Sequence, residues 1–276
     1  MTELLQVENL RRVYRVRSAG AEVDELVAVD NVSFAVPAKG SLAIVGESGS
    51  GKTTVARIVA GLEAATSGTV LFEGVPRLGG RLSAKERKRQ AGQAQMVFQD
   101  PYASLDPHQT VAAAIEEVLR RHFRLSRTES RQRVLDVLEQ VGLDPRHAKA
   151  LPRNLSGGQR QRVAIARALA VSPRLLILDE AVAALDVSVQ AQVINMLADL
   201  RASLDIAFLF ISHDLGVVRQ VSEECIVMHR GRIVEAGSTD EVLVAPQEEY
   251  TQALLSAIPT PGWTPQRRRD AVPSDR

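Results

Sequence analysis

Gly46-Glu47-Ser48-Gly49-Ser50-Gly51-Lys52-Thr53 has the spacing of a phosphate-binding loop. Glycines let a backbone curl until successive N–H groups face an anion. The helix that opens at Lys52-Thr53-Thr54 adds roughly half a positive charge at its N-terminus. Lys52 can neutralise β- and γ-phosphate charge, and the Thr53 hydroxyl can ligate Mg2+. A second set of groups ends the apolar run Leu175-Leu176-Ile177-Leu178. There Asp179 suits a metal shell, and Glu180 suits a general base that draws a proton from an attacking water. The plainer reading is an acid pair that caps the next turn. Leu155-Ser156-Gly157-Gly158-Gln159 opens another helix and offers a second anion site. Its plainer reading is an ordinary N-cap. The loop alone points to a nucleoside triphosphate and nothing narrower.

These groups need strands and helices to hold them. Leu42-Ala43-Ile44-Val45 leads into the loop as a buried strand, and Thr54 to Ala60 follows as a helix stopped by Gly61. Leu175 to Leu178 and Ile206 to Ile211 read as further buried strands, the second ending in Ser212-His213-Asp214. Gln95 to Gln99 is a strand closing on a polar residue. Strands alternating with helices imply a mainly parallel sheet, with ligands at the strands' C-terminal ends. Leu4 to Leu10, Val27 to Val36 and Gly68 to Gly74 read as short antiparallel strands beside that core. Arg15 to Glu25 is a polar, charged segment between the first two strands, and the basic run Arg77 to Gln90 reads as a solvated connection. Val111, Ile115, Val118 and Leu119 share a helical face. Ser126 and Glu129 have capping-box spacing ahead of the stripe Val134, Leu138 and Val141, and Gly142 ends that helix. The expected fold class is α/β: a P-loop NTPase core with a mainly parallel sheet, an N-terminal antiparallel β subdomain and an inserted helical subdomain over about residues 100–165. The ATPase domain is expected to span 1–258, with a Pro- and Arg-containing tail over 259–276.

Composition narrows the partners. A net charge of +1 over 276 residues gives no electrostatic case for nucleic acid. One cysteine, Cys225, excludes an internal disulfide and suits a reducing compartment. No run approaches the ~20 apolar residues of a spanning helix, and Met1 to Gln6 does not read as a secretory signal. His108, His122, His147 and His229 lack metal-ligand spacing.

A phosphate loop, then Ser156-Gly157-Gly158-Gln159, then an apolar strand ending in acids resembles the ATP-binding subunit of an ABC transporter. The resemblance covers Leu4 to about Ile258. It implies two subunits facing head to tail, with ATP and Mg2+ between one phosphate loop and the other subunit's signature. Ser156, Gly157 and Gly158 would then meet the partner's nucleotide, with Gln159 completing the signature. Gln99 would sense Mg2+ and the attacking water, His213 would hold the γ-phosphate, and Asp186 would bridge the subunits. Tyr14 would stack on adenine, although taken alone it reads as a packed aromatic. The family usually has proline where Ala181 stands and serine or threonine where Ala183 stands. Losing that proline relaxes a fixed φ beside Glu180.

The runs Met96 to Pro107, Asp186 to Gln192 and Tyr250 to Pro259 resemble the oligopeptide, dipeptide and nickel importer subfamily, in particular its second ATPase subunit. The resemblance implies a second ATPase subunit, identical or not, two membrane permease subunits, and indirectly an extracytoplasmic solute-binding protein. It places the chain at the cytoplasmic face of the membrane. A metal-chelate importer, an exporter and a soluble ABC ATPase remain as other readings of the same engine. Tyr102 and Leu105 are expected to be exposed as a docking groove for a permease helix, the alternative being that they fold back onto the helical block.

Overall fold

The computed structural model describes residues 3–17, 23–77, 83–100 and 104–256. Strands β1 (Glu3–Arg17) and β2 (Val23–Pro37) form an antiparallel pair, and β3 (Ser41–Val45) runs directly into the phosphate loop. Helix α1 (Lys52–Val59) follows, then β4 (Ser67–Phe72) and β5 (Val75–Pro76). One antiparallel sheet has the order β2-β1-β4-β5. With β6 (Ala94–Val97), β7 (Leu175–Asp179), β8 (Ala207–Ser212), β9 (Glu224–His229) and β10 (Arg232–Ser238), β3 builds a second sheet, ordered β10-β9-β3-β8-β7-β6. Its pairs are parallel except β9 with β10.

The fully apolar strands divide their side chains between two cores, as the period of two requires. Leu42, Ile44, Leu175, Ile177, Leu209 and Ile211 face α1 and the antiparallel sheet. Ala43, Val45, Leu176, Leu178, Phe208 and Phe210 face the other way, toward the helices. This is why no strand around the phosphate loop alternates with polar residues: both faces are covered.

Three helices pack beyond the second face: α3 (Val111–His122), α4 (Arg127–Gln140) and α5 (Gly157–Leu169). A shorter helix, α2 (Ala84–Gln93), precedes β6. Val111, Ile115 and Leu119 are buried on α3, as expected, while Val118 is half-buried. The Ser126–Glu129 capping box opens α4, and Gly142 closes the block at φ +67°. Three further helices, α6 (Val187–Ser203), α7 (Leu215–Val221) and α8 (Thr239–Val244), flank the sheet, and α9 (Glu249–Ser256) is the last described.

Three expectations need correction. Arg15 and Glu25 lie on paired strands, opposite each other in an extended β1–β2 hairpin. Glu25, Leu26 and Val27 are exposed there, so the hydrophobic alternation that would have marked a strand is lost. The run from Arg77 is not a solvated connection throughout. Ser83 caps α2, accepting from the Glu86 N–H, and Arg77 is tucked beneath it. Arg77 donates to the Gln90 carbonyl at 3.1 Å and lies 5.4 Å from the Phe72 ring centroid, and burial pushes its pKa down to about 10. Leu105 is not exposed: at 4% exposure it belongs to the same core cluster as Val97, Ile115 and Leu138. Burial of its isobutyl group outweighs any gain from standing free in water. Tyr102 and the segment after residue 256 lie outside the described residues.

Candidate functional site

Residues 46–53 wrap the start of α1. Gly46, Gly49 and Gly51 take φ of +146°, +83° and +104°. At Gly46 a Cβ would stand 2.2 Å from the Met228 carbonyl oxygen, and at Gly51 2.3 Å from that of Ala28. Both positions therefore require glycine twice over, by conformation and by space. Glu47, Ser48 and Gly49 are exposed at the loop's crest, while Ser50 is buried and Thr53 and Thr54 are half-buried.

Lys52 is 4% exposed. Its ammonium donates to the carbonyls of Gly46 at 2.7 Å and Glu47 at 2.8 Å, with the Ser50 hydroxyl 3.5 Å away. Two of its three N–H groups are thus held closely by loop carbonyls, and the third, on the longer Ser50 contact, is the one most easily turned to a phosphate. Burial pushes its pKa down, while Glu180, Asp179 and Glu47 pull it back up.

The acids stand where β7 ends. Asp179 is 6% exposed and accepts from the Thr53 hydroxyl at 3.1 Å. Burial raises its pKa; the Thr53 bond opposes this, and Glu180 adds to it. Glu180 carries one partner on each carboxylate oxygen. Gln99 Nε2 donates to Oε2 at 2.8 Å, and His213 Nδ1 lies 3.2 Å from Oε1. Glu180 adopts φ +49°, unusual for a side-chain-bearing residue and characteristic of functional sites. Its N–H donates to the Ile211 carbonyl at 2.9 Å, and its own carbonyl accepts from Ala183 at 3.1 Å. With Ala181 and Val182 buried, these bonds fix the turn without the usual proline. Residues from β6, β7, β8 and the phosphate loop therefore converge at one sheet edge, as their strand-end positions implied.

The signature stands apart. Ser156 accepts from the Gln159 N–H at 3.2 Å, and Gln159 Oε1 accepts from the Ser156 N–H at 2.9 Å. This capping box fixes the start of α5, where Ser156 is exposed, Gly157 half-buried and Gly158 buried. Among the described residues no hydrogen bond joins Ser156–Gln159 to the phosphate loop. Gly158 lies against α6: a Cβ there would stand 2.3 Å from Val189 Cγ1. Gly158→Ala should therefore cost about 1–3 kcal/mol, because α5 and α6 must separate to admit one methyl. A thermal-unfolding midpoint equal to the parent's would show that the contact is soft. Asp186 caps α6, accepting from Val189 N–H at 3.0 Å and Ser188 Oγ at 2.7 Å. These bonds, Val189 first, hold its pKa below the usual carboxylate range.

Tyr14 sits on β1 opposite Leu26. Its hydroxyl donates to Glu63 at 2.5 Å, and the Arg12 guanidinium covers one ring face at 4.5 Å. An adenine would have to use the opposite face.

A family model described as ABC transporter matches residues 29–183, which carries the phosphate loop, the signature and the acid pair. The chain belongs to the ABC transporter family. It is an ATP-binding cassette with the fold and catalytic class of an ATPase. A probable peptide ABC transporter ATP-binding protein of Sinorhizobium fredii is 46% identical over 98% of this chain and 76% of its own length. A dipeptide transport ATP-binding protein of Haemophilus influenzae is 42% identical over 98% of this chain and 82% of its own. Among solved structures, a dimeric cassette in a post-hydrolysis state, bound to ADP and Pi, superposes with a TM-score of 0.75 at 28% identity, covering 85% of this chain and 98% of that one. No helix among the cassette's described residues is long and apolar enough to cross a membrane.

Proposed function

We propose that this ATPase is the motor of an importer for peptides or similar small solutes, working at the cytoplasmic face of a membrane. The observation that carries the reading is the likeness, over 98% of this chain, to ATP-binding proteins named for peptide and dipeptide transport. Lys52 and the amides of residues 46–53 receive the triphosphate. Glu180 takes a proton from the attacking water, while Gln99 and His213 orient its carboxylate and face the γ-phosphate. Tyr14 packs against the base.

The Thr53 hydroxyl, the Asp179 carboxylate and the Gln99 amide oxygen are hard oxygen donors of the type Mg2+ prefers. The Thr53–Asp179 bond already places two of them within 3.1 Å of each other. When bound, the ion would neutralise charge on the β- and γ-phosphates. Two cassettes, identical or not, would close head to tail so that Ser156, Gly157, Gly158 and Gln159 of each face the other's nucleotide, with Asp186 at the junction. Two permease subunits and an extracytoplasmic binding protein complete the system.

The test is co-purification with the membrane permeases, followed by reconstitution in lipid vesicles. ATP-dependent uptake of a peptide library into the vesicles is the expected result. Recovery of an active ATPase that binds no permease would favour a soluble ABC ATPase. Uptake or efflux confined to metal chelates or other cargo would move the cassette to another transporter class.

A further inference from the structure

The phosphate loop is gripped from outside by the C-terminal part of the chain. The Gly231 N–H, in the turn between β9 and β10, donates to the Ser50 carbonyl at 3.0 Å. Nearby, the Arg232 guanidinium grips Asp30, donating to it from Nε at 2.8 Å and from Nη2 at 2.5 Å. Farther along, Tyr250 lies on α9. Its hydroxyl oxygen accepts from the Glu47 N–H at 3.2 Å. The Tyr250 ring lies on His229, with centroids 3.9 Å apart and planes at 37°. Tyr250, Leu254 and Leu255 pack against the main core, and the Gln247 N–H donates to Glu235 at 2.8 Å, so α9 is fixed to the body.

The Glu47 N–H and the Gly46 carbonyl belong to the same peptide unit. That carbonyl is one of the two that hold the Lys52 ammonium. The unit is thus clamped on both sides, by Lys52 on its oxygen and Tyr250 on its nitrogen. Gly46, at φ +146°, presents no side chain that would resist a flip of this unit. A flip would remove one of the two carbonyls that position the ammonium. We propose that Tyr250 is a positioning residue for the phosphate loop: through the 46–47 peptide unit it aims the Lys52 ammonium at the β- and γ-phosphates. This rests on residues 46–53 being the triphosphate cradle.

The test is Tyr250→Phe, which removes the hydroxyl and keeps the ring on His229. Binding of ATP and of AMP is measured by calorimetry, with thermal unfolding alongside. AMP lacks the phosphates that Lys52 meets. The expected result is ATP binding weakened by about 3- to 10-fold, the worth of one hydrogen bond, with AMP affinity and the unfolding midpoint unchanged. ATP affinity equal to the parent's would overturn the proposal. So would equal losses for ATP and AMP, or a lowered midpoint with ATP and AMP weakened alike, because packing alone would then explain the contact. A parent protein that fails to bind ATP would instead overturn the phosphate-loop assignment itself.

Discussion

Glu180→Gln should bind ATP as tightly as the parent and hydrolyse it at least ~100-fold more slowly. The substitution exchanges one carboxylate oxygen for an amide nitrogen of nearly the same size. Gln99 can still donate to the remaining oxygen, and the backbone bonds of residue 180 to Ile211 and Ala183 are untouched. What disappears is the group able to accept a proton from water. Neither neighbour takes over that task in the proposed arrangement: Gln99 has no basic atom, and His213, 3.2 Å from the other carboxylate oxygen, is assigned to the γ-phosphate. Phosphate release under saturating ATP measures the effect. Turnover within about threefold of the parent would show that Glu180 is not the base.

Lys52→Ala should weaken ATP binding by at least about 10-fold and up to about 100-fold, the range for losing charge-assisted hydrogen bonds. Lys52 is the cation enclosed by the loop, and the same ammonium braces the loop from within. Removing it leaves two carbonyls without their donor and takes one counter-charge away from the acid pair. Calorimetric titration with ATP reads the loss; unchanged affinity would sink the phosphate-loop assignment. AMP should be affected far less.

The two sites differ in how visible they were beforehand. The phosphate loop, the strand ending in Asp179-Glu180 and the capped helix at Ser156 are each contiguous, and local chemistry demands their residues. The meeting of the phosphate loop and the acid pair at the strands' C-terminal ends follows from the rule that ligands lie beyond the carboxyl ends of parallel strands, while the Ser156 helix stands apart from them. Gln99 and His213 end strands of that same sheet but carry no local mark, and resemblance supplied them. Leu105 reads as exposed because its sequence neighbours are polar and proline-rich, while its burial comes from helices later in the chain. The arms of the first hairpin carry no sequence signal because exposed β-strands need not alternate. Tyr250 had no signal at all: its partner is Glu47, 203 positions earlier, and only the tertiary fold brings the two together.

The proposed head-to-tail arrangement makes the phosphate loop and Ser156–Gln159 the two halves of a nucleotide site, and within one chain Ser156–Gln159 are engaged in their own cap. On that proposal two chains would have to meet for one ATP to touch both. The direct measurement is the mass of Glu180→Gln in solution with Mg2+ and ATP, by light scattering, together with the nucleotide bound per chain. The expected result is a dimer carrying one ATP per chain, which Ser156→Arg returns to monomer without loss of ATP from the phosphate loop. A Glu180→Gln protein that stays monomeric while saturated with ATP, including in the presence of its companion ATPase subunit, would contradict the account.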